Sequence, residues 1–182
     1  GGKTPLAAYA ALAGLRRGLG PSQSWAVLSD ERMVSKSSSE NNNHNIALHF
    51  VAAGIPAMHI LSVDTSHTLE QAAHEYDLAL GRVLKSGMRL SLGILGLGAD
   101  GHTASLFGPA DVSAAERSGR LAIPVRRLPG PNRVSVTPVF LRHFETLIFV
   151  VTGADKVRAV SSLLSNPESV PAGLATAGHP QV

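Results

Sequence analysis

Three apolar runs punctuate the chain, and each ends in a polar cluster. Trp25-Ala26-Val27-Leu28 leads into Asp30-Glu31-Arg32, and Leu90-Ser91-Leu92-Gly93-Ile94-Leu95 leads into Gly96-Leu97-Gly98-Ala99-Asp100-Gly101-His102. Leu147-Ile148-Phe149-Val150-Val151 leads into Thr152-Gly153-Ala154-Asp155-Lys156. Short apolar runs bounded by turn residues predict buried parallel strands. Helical spacing fills much of the remainder. Thr4 as a cap and Pro5 at the first helical position open a helix with Leu6, Tyr9, Ala10 and Ala13 as its apolar stripe, closed by Gly18 and Gly20. A helix is predicted over 46–53, and another over 69–84 that buries Ala72, Ala73, Tyr76, Leu80 and Val83. A further helix continues from Lys156 through Val157, Val160 and Leu164; 121–125 and 133–137 read as short strands, and 35–45 as a loop. Strands alternating with helices predict an α/β fold over residues 1–182 as a single domain. Its sheet is expected to be largely parallel and doubly wound (Rossmann-like), flanked by helices.

In such sheets ligands bind beyond the carboxyl ends of the strands, which is where the polar clusters fall. The richest is Gly96–Phe107. Its glycines permit backbone geometry closed to other residues and a close approach by a ligand. His102 suits proton transfer near neutral pH, and Asp100 is near enough to orient it. The competing reading is a structural βα turn with an incidental histidine. Gly96, Gly98 and Gly101 also satisfy G-x-G-x-x-G. A dinucleotide site, however, needs a helix starting inside the motif and an acidic residue ending the next strand. Here Gly108-Pro109 follows, and Asp111 and Glu116 lie in polar sequence with no apolar run ahead of them, so that reading is set aside. A Gly-rich opening before a helix, Gly1-Gly2-Lys3-Thr4-Pro5, offers free N–H groups and the positive end of the dipole to a phosphate. Arg32 can clamp an anion in bidentate fashion, or belong to a solvated charge run. Lys156 sits at a helix start, where ammonium and dipole act on the same anion. Arg133 reads equally as an anion contact or a surface strand residue.

Composition narrows the classes. With 182 residues and 44% apolar content the chain is not a disordered protein. No apolar run reaches membrane-spanning length and the polar start is no signal peptide, so no membrane association is expected. Zero cysteines exclude a disulfide frame, a thiolate nucleophile and a thiolate metal site, and suit a cytoplasmic protein. The net charge is +3, the basic residues are scattered, and aromatics are few, which disfavours nucleic-acid binding. The other seven histidines form no His-x-x-x-His pair beside a third ligand, so no metal is expected.

In order, and with compatible spacing, these segments resemble the 6-phosphogluconolactonases of the wider glucosamine-6-phosphate isomerase/6-phosphogluconolactonase superfamily. Leu95-Gly96-Leu97-Gly98-Ala99-Asp100-Gly101-His102-Thr103-Ala104-Ser105-Leu106-Phe107 follows the lactonase signature almost letter for letter. Gly1–Pro5 is similar to the family's Ser-Gly-Gly-Ser/Thr-Thr-Pro, and Arg133–Thr137 to its Arg-Val-Thr-Leu-Thr. Trp25 with Asp30-Glu31-Arg32 and Val34, Asn42 in place of a Ser-Asn pair, and the Val151–Lys156 turn also match. The resemblance implies hydrolysis of 6-phospho-D-glucono-1,5-lactone to 6-phosphogluconate in the oxidative pentose phosphate pathway. That ester hydrolysis needs a water, a base and stabilisation of an oxyanion, and no cofactor. It implies His102 as the base, Asp100 as its orienting group, and Gly1, Gly2, Lys3, Thr4, Arg32, Gly101, Arg133 and Lys156 as holders of substrate and phosphate. The expected partner is a phosphorylated sugar lactone, and a monomer is expected.

Departures from the pattern are Leu90-Ser91 for Phe-Asp, Gly108-Pro109 for Pro-Gly, and Leu128, beside Arg126 and Arg127, for a lysine. The resemblance also implies a strand and helix before residue 1 and a closing segment after residue 182. The deaminases of the superfamily resemble Asp-Gly-His-Ile-Ala-Phe-Asn-Glu-Pro, whose glutamate assists ring opening; residues 103–108 here supply no carboxylate. A sugar-phosphate-binding protein without catalysis is the alternative from another class.

Overall fold

A computed structural model describes residues 4–14 and 24–182, and helices and strands alternate through them. The order is α1 (Thr4–Gly14), β1 (Ala26–Val27), β2 (Asp30–Arg32), α2 (Asn42–Ala52), β3 (Ile60–Leu61), α3 (Leu69–Lys85), β4 (Leu90–Leu95), α4 (Pro109–Ser118), β5 (Ala122–Val125), β6 (Arg133–Val136), α5 (Pro138–Leu141), β7 (Phe144–Phe149), α6 (Val157–Ser165) and α7 (Pro171–Ala175). Strand β1 pairs in parallel with β3, and β4 in parallel with β7 from Leu90 opposite Phe144 to Leu95 opposite Phe149. The α/β architecture with parallel strands flanked by helices is therefore as expected. Among the described residues no helix is long and apolar enough to cross a membrane.

Periodicity did not reveal a second, antiparallel sheet in the order β2-β6-β5. Asp30-Glu31-Arg32 is not a loop at the end of a parallel strand but one of its strands, with Asp30 opposite Ser135 and Arg32 opposite Arg133. Charged residues can occupy a buried strand only when their oxygens are satisfied, and here they are. Glu31 is fully buried. One of its carboxylate oxygens accepts from the Arg32 and Asn42 N–H groups at 2.8 and 2.7 Å, and the other from Asn43 N–H at 2.8 Å. Glu31 thus satisfies donors at the N-terminus of α2 that no carbonyl can reach. The Asn41 side chain caps the same end by accepting from His44 N–H at 2.8 Å. The helix therefore starts at Asn42 rather than at Ile46, where its apolar sequence begins. Burial pushes the Glu31 carboxyl above its usual range, and the three N–H donors pull the other way.

The core forms between α3 and the strands it covers. Ala72, Ala73, Tyr76, Leu80 and Val83 are buried as their spacing predicts, and they meet Leu90, Leu95, Val134, Val136 and Leu147. A reciprocal Thr68–Gln71 capping box starts α3. Two polar groups on its buried side fix its seat. Tyr76 Oη donates to the Leu28 carbonyl at 2.5 Å, and Asp77 accepts from the Leu121 and Ala122 N–H groups at 2.7 and 3.2 Å. The expectation that β4 and β7 are buried on both faces holds for one face only. Leu92, Ile94 and Ile148, on the other, are 49%, 36% and 45% exposed.

Replacing Glu31 by alanine leaves the Asn42 and Asn43 N–H groups at the start of α2, and the Arg32 N–H on β2, without their acceptor. We expect a loss of about 3 kcal/mol, which for a chain of this size lowers Tm by roughly 6–12 °C. Glu31→Gln, which keeps one acceptor oxygen, should fall between the two. Calorimetric melting of the three proteins tests this, and an alanine variant that melts with the parent would remove Glu31 from the role.

Candidate active site

The loop after β4 carries the proton chemistry, and its backbone explains its composition. Gly96 and Gly98 follow directly from the strand. Gly98 N–H donates to the His102 carbonyl at 2.8 Å and the Gly98 carbonyl accepts from Gly101 N–H at 3.0 Å, closing a tight turn. A Cβ on Gly98 would overlap the His102 ring and the Asp100 carboxylate, so only glycine lets those side chains lie across the turn. Gly101 has φ +82°, and a Cβ there would meet Val170 at 2.8 Å. Ala104, at φ 48°, is the one non-glycine residue with positive φ among the described residues. This strain is localised at the loop's inward bend.

Within the turn, His102 Nδ1 lies 2.5 Å from Asp100 Oδ1. That contact assigns the Nδ1 proton to the side facing the carboxylate and leaves Nε2 as the nitrogen for external chemistry. Burial pushes the Asp100 carboxyl up, but its bond to His102 and the imidazole's charge outweigh this and hold it below the usual carboxylate range. The imidazole is 28% exposed and packs against Phe107 with ring centroids 4.6 Å apart. Thr103 Oγ1 donates to the Gly96 carbonyl at 2.9 Å, pinning the far side of the loop.

Two serines tie this loop to the antiparallel sheet. Ser105 Oγ donates to Asp30 Oδ2 at 2.8 Å, and Ser105 N–H donates to Ser135 Oγ at 3.1 Å. Asp30, Ser105 and Ser135 are all buried. Burial disfavours the charge on Asp30, whereas the hydroxyls of Ser105 and Ser29 and the Arg133 guanidinium favour it. Asn42 completes this corner by donating its side-chain amide to the Asp30 carbonyl at 2.9 Å.

Loop, sheet and the turn after β7 enclose a cleft of about 380 Å³. Its wall includes His102, Phe107 and four cations: Arg32, Arg127, Arg133 and Lys156. Arg32 and Arg133 stand directly opposite each other across β2 and β6. Like charges so placed repel, and burial together with the Arg32 and Arg127 charges lowers the Arg133 pKa. Partial relief comes from Asp30, 3.8 Å from Arg133 Nη1, and from the Glu40 carbonyl, which accepts from Arg32 Nη1 at 2.8 Å. Lys156 lies at the start of α6, its Nζ 3.4 Å from Asp155 Oδ2. A half-buried cluster of this kind has a field and hydrogen-bond donors suited to an anion.

The structure brings Arg32, His102, Arg133 and Lys156 together in this cleft, with Asp100 behind His102. Gly101, within the loop, is not part of the cleft wall, and its carbonyl accepts from Ala172 N–H at 2.9 Å. Thr4 begins α1, and Gly1, Gly2 and Lys3 lie outside the described residues. The helix start that the dinucleotide reading required is absent from 96–101, since α4 begins at Pro109. Sequence reasoning passed over Asp30, Asn42, Phe107 and Arg127 as site residues. Asp30, Asn42 and Phe107 stand among the residues that carry the family resemblance, but periodicity gave them no role, because antiparallel pairing leaves no mark in it.

The profile of the family described as glucosamine-6-phosphate isomerases/6-phosphogluconolactonase matches residues 1–182. The chain is 32% identical over 174 residues to the 6-phosphogluconolactonase of Thermotoga maritima, an alignment covering 91% of this chain and 73% of that protein. It is 32% identical over 145 residues to the 6-phosphogluconolactonase of Rattus norvegicus, covering 77% and 56% respectively. With the probable 6-phosphogluconolactonase of Drosophila melanogaster, the match covers 40% of the relative. The chain thus spans between two fifths and three quarters of these relatives. The crystal structure of the Thermotoga maritima 6-phosphogluconolactonase superposes with a TM-score of 0.81 at 30% identity, over 96% of this chain and 77% of that one. On sequence and fold together, the chain belongs to the glucosamine-6-phosphate isomerase/6-phosphogluconolactonase family.

Proposed function

We propose that this cleft hydrolyses 6-phospho-D-glucono-1,5-lactone to 6-phosphogluconate. One observation carries the reading: an Asp-oriented imidazole and four cations face a single cavity. His102 Nε2 takes a proton from a water whose oxygen attacks the lactone carbonyl carbon. The oxyanion so formed collapses, the bond from C1 to the ring oxygen breaks, and the imidazolium returns its proton to that oxygen. The products are the C5 hydroxyl and the acid, which ionises. Asp100 acts through His102, holding the tautomer and stabilising the transient imidazolium. Arg32, Arg133 and Lys156 hold the phosphate. Residues 103–108 contain no carboxylate, which favours hydrolysis over the ring-opening chemistry of an isomerase. A monomer acting on a free sugar phosphate in the cytoplasm accords with this reading.

His102→Gln should lower kcat by about 10²–10⁴-fold, the usual range for a general base, with KM little changed. Because Asp100 is held below the usual carboxylate range, it stays ionised across neutral pH. A folded glutamine variant retaining more than about a third of kcat would remove the assignment. Spontaneous lactone opening must be subtracted.

Lys156→Ala should raise KM for the phosphorylated lactone about tenfold, as for the loss of one charge-assisted contact. Unphosphorylated gluconolactone should be a much poorer substrate of the parent and indifferent to the substitution. An unchanged KM for the phosphorylated lactone would take Lys156 out of the phosphate site.

A further inference from the structure

Arg127 lies two residues beyond the end of β5, half-buried between exposed Arg126 and Leu128. Its neighbour Arg126 pairs with Glu70 on the surface. Arg127 turns the other way, and its guanidinium carbon sits 4.0 Å over the centroid of the Phe107 ring. The same ring contacts the His102 imidazole and lies 5.9 Å from the Arg133 guanidinium carbon. Each of the other cleft cations has an oxygen nearby: Arg32 has the Glu40 carbonyl, Arg133 has Asp30, and Lys156 has Asp155. Among the described residues, the Arg127 guanidinium has no oxygen partner.

A guanidinium lying over an aromatic face is held by the ring's quadrupole while its N–H edges stay free. Placed at the cleft wall beside two other guanidiniums, those edges suit a multiply charged oxyanion. The planar fork can grip two oxygens at once. We infer that Arg127 is a further anion-binding residue of this cleft, donating to the substrate's phosphate, and that Phe107 is the positioning residue that holds it. The inference rests on reading the cleft as a sugar-phosphate site. It goes further in naming which cation is unspent before the anion arrives and what aims it.

The test compares the parent chain with Arg127→Gln and Phe107→Leu. Inorganic phosphate is titrated by calorimetry, and hydrolysis of phosphorylated and unphosphorylated gluconolactone is measured alongside. Arg127→Gln should weaken phosphate binding about 10- to 100-fold, the effect of losing one charge-assisted contact. KM for the phosphorylated lactone should rise in parallel, and by more than KM for unphosphorylated gluconolactone. Phe107→Leu fills the space without a π face and should weaken phosphate binding about three- to tenfold. Phosphate bound by Arg127→Gln as tightly as by the parent overturns the inference, as does an equal loss on both lactones. A parent that binds phosphate through Arg127 but hydrolyses no lactone would remove the lactonase reading and leave this one standing. A parent that hydrolyses the lactone, with Arg127→Gln indistinguishable from it, does the reverse.

Discussion

The buried carboxylate of Asp30 is the point on which the site depends. Its Oδ2 accepts from the Ser105 hydroxyl at 2.8 Å and lies 3.8 Å from Arg133 Nη1. The loop carrying the imidazole and the sheet carrying the arginines are thereby locked in one relative position. They belong to different parts of the topology, one following a parallel strand and the other antiparallel, and among the described residues no backbone ladder joins them. A buried, hydrogen-bonded carboxylate is a demanding device, because removing either partner leaves an uncompensated charge or donor. That demand gives the geometry its definition.

Two acids adjacent in sequence thus perform different tasks. Asp30 joins the proton-handling loop to the cation-bearing sheet, whereas Glu31, pointing to the other face of β2, satisfies the start of α2. Arg32 then emerges on the cleft side opposite Arg133. Alternation along this three-residue strand puts Asp30 and Arg32 on the cleft face and Glu31 on the other. An arrangement that sets two arginines face to face works against stability in the empty protein and in favour of anion binding, so the electrostatic strain and the proposed function are one feature.

Helix α3 was legible from spacing because its burial follows the 3.6-residue period, whereas in α6 the expected Val157 and Leu164 are exposed and Ala159 is buried instead. The stripe of α3 was read residue by residue, and the Leu90–Leu95 strand to its exact bounds. The start of α2 was not legible, since Asn42–Asn45 is polar and becomes helical only through capping by Asn41 and by Glu31 from another strand. Nor was the exposed face of β4 and β7 legible, because a continuous apolar run does not say which side is covered.

By itself, the sequence determined the chemistry available and its local setting. A histidine and an aspartate two residues apart on a glycine turn must lie close together, since the turn admits no side chain between them. Basic residues near strand and helix ends were likewise visible in one dimension. Only the tertiary structure decided which of them share a cavity. Arg32, Arg127 and Arg133 meet through antiparallel pairing across about a hundred residues of chain, and Phe107 joins them only because Ser105 is fastened to Asp30. Such long-range register is set by burial and polar satisfaction over the whole core, which no local pattern encodes.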